Sequence, residues 1–86
     1  MSYRIKVSAK AEKDMMHPFA QERKKPANKI DLLATNPRPP GCLKMKGRTE
    51  ELWLVRSGDY RILYAIDDVI RIVDVRQVGH RREVYR

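Results

Sequence analysis

Arginine and tyrosine are concentrated at two points of this sequence where they could handle phosphate. Arg61 follows the tight-turn residues Gly58 and Asp59, and the segment 80–86 contains three further arginines, a histidine and a tyrosine. A guanidinium group presents a rigid fork of donors that matches phosphate oxygens, and it keeps its charge at every physiological pH. The residue types therefore permit a phosphate-binding site built from Arg61 and the C-terminal segment.

Each of these features also has a simpler structural explanation. Arg61 is also compatible with an edge arginine that pairs with a carboxylate. Arg81 and Tyr85 share one face if the C-terminal segment is helical, whereas a mobile basic chain end is the alternative. Lys44 and Lys46 point to the same side of a short predicted strand, and a solvated strand surface explains them without any ligand.

Length and composition bound the kinds of protein that this sequence can encode. From 86 residues and a formal charge of +8, we expect a single domain over residues 1–86 and a polyanionic partner. No stretch approaches the roughly 18 apolar residues of a membrane span, and the N-terminus lacks the apolar core of a signal peptide, so a cytoplasmic protein is predicted. Cys42 and two histidines offer few metal ligands, so neither a metal nor another cofactor is expected.

Periodicity in the first half predicts one strand and two short helices. Apolar residues alternate with polar ones over residues 3–7, which is typical of a half-buried strand. Ser8 is suited to cap a helix that must end before Pro18. Pro26 can occupy the first turn of a second helix, which ends before the Pro-rich loop 36–41.

The second half is predicted to form an antiparallel meander. Alternating patterns and short turns indicate strands over residues 43–46, 51–56, 60–66 and 69–75. The third of these strands is apolar on both faces apart from Arg61. Two short helices can cover only one face of such a sheet, so we expect the other face to line a groove or to receive a partner chain.

Three sequence blocks resemble, in order and spacing, the corresponding blocks of the RelE/ParE toxin superfamily. They are residues 36–41 (NPRPPG), 56–64 (RSGDYRILY) and 79–86 (GHRREVYR). The resemblance implies an α+β fold with an N-terminal strand, an antiparallel hairpin of two helices, an antiparallel sheet of about four strands, and a short C-terminal helix or tail. It also implies the toxin of a type II toxin–antitoxin pair.

The RelE branch of this superfamily cleaves messenger RNA in the ribosomal A site without a metal, by attack of the RNA 2′-hydroxyl on the adjacent phosphate. By motif position, the resemblance assigns phosphate stabilisation to Arg61 and Arg81, and orientation of the scissile nucleotide to Tyr85. His80 has an intrinsic pKa suited to proton transfer, so it is the candidate general base, and a surface histidine without a catalytic role is the alternative.

Further RNA contacts and the protein partners are also predicted. The expected RNA contacts are Arg56, Lys44, Lys46 and Arg82. The expected partners are a RelB-like antitoxin, the 70S ribosome and its mRNA, with operator DNA bound only by the toxin–antitoxin complex.

One departure from the superfamily pattern keeps other functions open. The best-studied branch carries two lysines, which serve as acid/base and charge stabiliser, at the positions of Leu52 and Leu54. Lys44 or Lys46 could replace them only if the short strand turns these side chains toward the groove. The alternatives are a ParE-like inhibitor of DNA gyrase, which cuts no RNA, and a catalytically inactive RNA-binding homologue.

Overall fold

Within the part of the chain that the structure describes, two helices and five strands form in the order that the sequence pattern predicts. The computed structural model describes residues 2–16, 24–45 and 50–80. Its elements are β1 (Arg4–Val7), α1 (Ala9–Met15), α2 (Lys24–Leu33), β2 (Leu43–Met45), β3 (Leu52–Ser57), β4 (Tyr60–Asp67) and β5 (Ile72–His80). The α+β class predicted from the sequence is confirmed. Neither α1 nor α2 has the length and apolar character needed to cross a membrane.

All five strands belong to one mixed sheet, in the order β1-β5-β4-β3-β2. Strands β2 to β5 form the predicted antiparallel meander. The N-terminal strand β1 joins the same sheet in parallel with β5, with Ile5 beside Val73. The sheet therefore has five strands, one more than the antiparallel sheet of about four strands that the resemblance implies. Parallel pairing needs a long crossover, and the helices and the meander that separate β1 from β5 supply it.

One face of the sheet, which we call the covered face, carries both helices. Ala11 of α1 and Ile30 and Leu33 of α2 are buried against strand residues whose side chains share this face. Those strand residues are Val55, Tyr60, Ile62, Tyr64, Val73, Val75 and Val78. The opposite face, which we call the open face, carries the alternate residues, such as Leu54 and Leu63. Within the described ranges, no helix packs on the open face.

The second half of β5 is held by α1, because β1 is too short to reach it. β1 ends at Val7, which is paired with Val75. Two turns of helix later, the Asp14 carboxylate accepts a hydrogen bond of 3.1 Å from the backbone amide of Val78. A carboxylate on α1 thus replaces the strand partner that β5 lacks at this point.

Replacing Ser8 with alanine is expected to remove two hydrogen bonds at the start of α1. The Ser8 hydroxyl accepts from the Ala11 amide at 3.1 Å and donates to the Arg76 carbonyl at 2.9 Å. Loss of a helix cap costs about 0.5–2 kcal/mol, and the Arg76 carbonyl also loses its donor, so we expect the free energy of unfolding to fall by about 2 kcal/mol. Urea denaturation measures the change. Ser8→Thr keeps the hydroxyl, and an equal loss in that variant would contradict this assignment.

The link between β4 and β5 differs from the prediction. The sequence pattern predicts that the last strand begins at Val69, whereas β5 begins at Ile72. The Asp67 carboxylate accepts hydrogen bonds of 3.0 and 3.1 Å from the amides of Val69 and Ile70, and Arg71 has a φ of 60°. These local interactions favour a turn over extended pairing, so Val69 is 90% exposed.

Candidate functional site

Two arginines lie side by side on the open face. β3 and β4 form a hairpin in which Arg56 is paired directly with Arg61. Directly opposed residues of an antiparallel pair point to the same side of the sheet, with Cβ atoms about 5 Å apart. Leu63 and Ala65 share this side with Arg61 by alternation along β4. The pairing register therefore brings together two arginines that are five residues apart in the sequence.

The neighbour on the other side of Arg61 is a glycine. Gly79 of β5 is paired with Arg61 and has no side chain to occupy the open face. Arg61 is half-buried and its Nε is buried, whereas Arg56 is exposed. The sheet thus holds the base of the Arg61 side chain. On the open face, Arg61 has a neighbouring side chain on the Arg56 side and none on the Gly79 side.

The two positive charges of this arginine pair make it suitable for binding an anion. Like charges directly opposite each other on neighbouring strands destabilise a sheet, by up to about 1 kcal/mol. A phosphate between Arg56 and Arg61 would relieve that repulsion and accept charge-assisted hydrogen bonds from both groups. The pair can therefore stabilise negative charge on a phosphate. It is unsuited to proton transfer, because arginine stays protonated in proteins.

The centre of the open face is apolar. Leu54 of β3 is paired with Leu63 of β4 on one side and with Leu43 of β2 on the other. Leu52, which shares this face by alternation, is only 6% exposed. Packed leucines thus occupy the two positions where the superfamily resemblance expects lysines, and neither leucine can donate or accept a proton.

Lys44 does not lie on the same face of the sheet as the arginine pair. It is paired with Trp53, and Trp53 packs against the core on the covered face. The Lys44 Nζ lies 3.5 Å from the Glu51 carboxylate. Lys44 therefore points to the side of the sheet opposite Arg61, and it does not take the place of a groove lysine.

The other predicted site residues stand close to or beyond the end of the described chain segments. His80 is the last residue of β5 and is paired with Tyr60, next to the pair formed by Gly79 and Arg61. Lys46, Arg81, Arg82 and Tyr85 lie outside the described residues. Their roles in RNA binding and catalysis stay predictions.

The opposite end of the open face carries an acidic groove, which the sequence analysis did not find. The groove has a volume of about 370 Å³. Its charged lining residues are Glu50, Glu51, Asp67, Asp74, Lys6 and Arg76. Arg76 donates to both carboxylate oxygens of Glu50, one at 2.8 Å, and to Asp74 at 2.9 Å.

A β-bulge creates this cluster. Leu63 is paired with Gln77 and Tyr64 with Val75, so Arg76 is the extra residue of β5. The bulge directs its side chain across the groove toward the start of β3. Spacing alone could only suggest that Asp74 and Arg76 are neighbours, because the bulge and the contact with Glu50 depend on the sheet register.

The Pro-rich motif 36–41 contributes to the fold through Arg38. The Arg38 guanidinium donates to the Asp68 carboxylate at 3.2 and 2.8 Å and lies 5.1 Å from the centre of the Trp53 ring. The Tyr3 hydroxyl donates to the same carboxylate at 2.7 Å. This network joins the N-terminus, the loop before β2, the strand β3 and the turn between β4 and β5.

The Asp68 network is expected to make stability depend on pH in the acid range. Hydrogen bonds from Arg38 and then Tyr3 lower the pKa of the Asp68 carboxyl to about 2, whereas an unfolded chain has a value of about 3.9. Since the folded-state pKa is the lower one, the stabilisation is present above about pH 4 and is lost as the pH falls toward 2. Urea denaturation of the parent and of Asp68→Asn should give a difference at pH 5 that shrinks by pH 2. A difference independent of pH would contradict the assignment.

A comparison of the sequence with protein families gives one match over almost the whole chain. Residues 5–85 match the family described as the ParE toxin of the type II toxin–antitoxin system parDE. No curated protein sequence matches this chain significantly.

Solved structures share the fold. The RelE–RelB complex from Pyrococcus horikoshii has a TM-score of 0.77 and 24% identity, over 98% of this chain and 100% of that chain. The RelBE2 toxin–antitoxin complex from Mycobacterium tuberculosis has a TM-score of 0.79 and 22% identity, over 93% and 99% of the two chains. The DinJ–YafQ complex from E. coli has a TM-score of 0.75 and 18% identity, over 100% of both. At these identities the likeness is one of fold.

Proposed function

This chain belongs to the ParE toxin family of type II toxin–antitoxin systems, and on that premise we propose that it is a ribosome-dependent endoribonuclease that cleaves mRNA. The observation that carries the proposal is the paired placement of Arg56 and Arg61 beside Gly79 on the open face. Two permanent cations at one point of an open sheet face suit a phosphodiester substrate.

The proposed reaction needs no metal. The RNA 2′-oxygen attacks the adjacent phosphorus as a base removes its proton, the bond from phosphorus to the 5′-oxygen breaks, and an acid protonates that leaving oxygen. The products are a 2′,3′-cyclic phosphate and a 5′-hydroxyl. Negative charge builds up on the phosphate oxygens in the transition state, where Arg56 and Arg61 would stabilise it.

Proton transfer is assigned to the C-terminal part of the chain, because the arginines and leucines of the open face cannot perform it. We propose His80 as the general base, Arg81 as a second phosphate or leaving-group contact and Tyr85 as the residue that orients the nucleotide. Arg82 would add a backbone contact. A pH–rate profile of His80→Gln that matched the parent would exclude the histidine as base.

We further propose that an antitoxin chain neutralises this protein by covering the open face. The formal charge of +8 and the half-buried leucines of that face favour an acidic, partly apolar partner. The solved relatives named above include complexes of a toxin with its antitoxin, which supports a partner of this kind for the present chain.

Inhibition of DNA gyrase is the second candidate function. The matching family is that of ParE toxins, and the leucines at positions 52 and 54 leave the open face without the lysines expected of a RelE-type nuclease. A gyrase inhibitor would act by binding alone and would have no use for an arginine pair that handles phosphate.

Cell-free translation of a defined message separates the candidates. With purified protein present, we expect new RNA ends within codons that appear only when ribosomes engage the message, and none on naked RNA. A DNA supercoiling assay with purified gyrase is run on the same preparation. Intact message with loss of supercoiling would establish gyrase inhibition and overturn the nuclease.

A further inference from the structure

The second half of β5 has a strand neighbour on one side only. Residues 72–75 pair with both β1 and β4, whereas residues 77–80 pair with β4 alone, and a β-bulge marks the change. In the described part of the chain, no other strand borders residues 77–80 on their outer side. This half of β5 carries Gly79, which lies beside Arg61, and it ends at His80, the proposed general base.

The contact that replaces the missing strand comes from Asp14 of α1. Its side chain is only 17% exposed, and its carboxylate accepts a hydrogen bond of 3.1 Å from the backbone amide of Val78. Backbone amides alternate in direction along a strand. Since the Val78 amide faces α1, the Gly79 amide faces β4, where Gly79 is paired with Arg61. Asp14 therefore holds the outer side of β5 at the point where its inner side meets Arg61.

Asp14 is placed where it weakens its own helix. It lies one residue before the end of α1, which has only seven residues, and a negative charge near a helix C-terminus is unfavourable because of the helix dipole. Aspartate also has a low helix propensity. Lys10 lies 2.6 Å from the other Asp14 oxygen, but a lysine four residues before its acidic partner is the less favourable order. The contact with β5 explains this aspartate, whereas the local interactions of α1 do not.

We propose that Asp14 is a positioning residue of the candidate phosphate site, which holds the second half of β5 so that Gly79 stays in place beside Arg61. This inference rests on the proposed phosphate-binding role of Arg56 and Arg61. Asp14 belongs to a helix on the covered face, so it does not touch a phosphate bound on the open face. It acts through geometry, and a displacement of about 1 Å at a reacting group can lower a rate by about a hundredfold.

Inorganic phosphate is the probe that tests the site without RNA or ribosomes. It is titrated into the isotope-labelled full-length protein, and the NMR signals of the Nε–H groups of Arg56 and Arg61 report binding. Asp14→Ala should weaken phosphate binding by about threefold, because a less preorganised arginine loses more freedom when it binds. Hydrogen exchange of the Val78 amide should become about tenfold faster, since the amide loses its acceptor.

Two further variants separate the hydrogen bond from the charge. Asp14→Asn keeps a side-chain oxygen that can accept from the Val78 amide, although it carries no charge. We expect this variant to keep the phosphate affinity and the Val78 exchange rate within about twofold of the parent. Glu12→Ala removes the same charge from an exposed position of the same helix and should leave both quantities unchanged.

The state of α1 distinguishes positioning from a general loss of structure. Alanine has a higher helix propensity than aspartate and lacks its unfavourable charge, so Asp14→Ala should preserve or strengthen α1. The amide of Glu12 donates to the Ser8 carbonyl at 3.0 Å, and its hydrogen exchange reports on this helix. We expect no acceleration there in Asp14→Ala. Faster exchange at Val78 with an intact α1 would place the effect in β5.

In the translation assay, Asp14→Ala should lower kcat by about tenfold and change KM by less than about twofold, because it disturbs geometry and not the attraction to RNA.

Parental phosphate affinity in Asp14→Ala, or an equal loss of affinity in Asp14→Asn or in Glu12→Ala, would overturn the inference. If the parent binds phosphate but cuts no RNA, the nuclease proposal fails, and the phosphate titration decides the role of Asp14 by itself. If the parent binds no phosphate, the arginine pair is not a phosphate site and the inference fails with it.

Discussion

Replacing Arg61 with alanine is expected to lower the rate of ribosome-dependent mRNA cleavage by about two to three orders of magnitude. Arg61 is held at its base within the sheet, with its Nε buried, so its guanidinium is positioned before the substrate arrives. A preorganised cation stabilises the charge that develops on the phosphate without reorganising during the reaction. Primer extension on a translated message, under single-turnover conditions, measures the rate.

Variants of neighbouring arginines separate catalysis from general attraction to RNA. Arg56→Ala should have a smaller effect, because Arg56 is exposed and less firmly held. Arg4 lies on the edge strand β1, where it is paired with Ile72 at the far end of the sheet. Arg4→Ala removes the same charge and should change the rate by less than about twofold. If Arg4→Ala and Arg61→Ala slow cleavage equally, the arginine pair is not the phosphate site.

Replacing Leu33 with alanine is expected to destabilise the fold by about 3 kcal/mol, within the range of 2–5 kcal/mol for a buried leucine. Leu33 is fully buried in the cluster that joins α2 to the covered face. A domain of this size has a total stability of about 5–15 kcal/mol, so a large part of it depends on this contact. Urea denaturation followed by the fluorescence of Trp53 measures the change.

The adjacent residue supplies a matched control for the same helix. Leu32 is 60% exposed, so Leu32→Ala loses little buried surface and should change the free energy of unfolding by less than about 0.5 kcal/mol. Equal effects of the two substitutions would mean that α2 does not pack on the sheet through Leu33.

Stability measurements on Arg61→Ala and Leu33→Ala also help to interpret the nuclease assay. Arg61→Ala should leave the unfolding midpoint close to that of the parent, because it removes a like-charge repulsion at Arg56 along with its own contacts. Leu33→Ala should lose activity only in proportion to the fraction of unfolded protein. A stable but inactive Arg61 variant is thus the informative outcome.

Elements with a strong local signal were predictable from the sequence. The alternation of apolar residues in β4 assigns Tyr60, Ile62 and Tyr64 to one face and Arg61 to the other, and the pairing register confirms this division. Ser8 caps α1 as its position before a run of helix-forming residues predicts. Such features depend on residues a few positions apart, so the local sequence is enough to specify them.

Features that depend on side chains in turns were harder to predict. Val69 and Ile70 have the composition of a strand, yet the Asp67 carboxylate holds their amides in a turn. Propensity favours extension there, and a specific hydrogen-bonding side chain overrides it. The predicted strand therefore began three residues too early.

The sequence by itself determined the family, the α+β class and the identity of the apolar faces. Tertiary structure decided which residues stand next to one another. It placed Arg56 beside Arg61, turned Lys44 to the covered face and joined Arg76 to Glu50 through a bulge. Strand register sets these neighbours, and a shift by one residue moves a side chain to the opposite face of the sheet. Periodicity fixes which residues alternate along a strand, whereas only the packed sheet fixes what lies across from each.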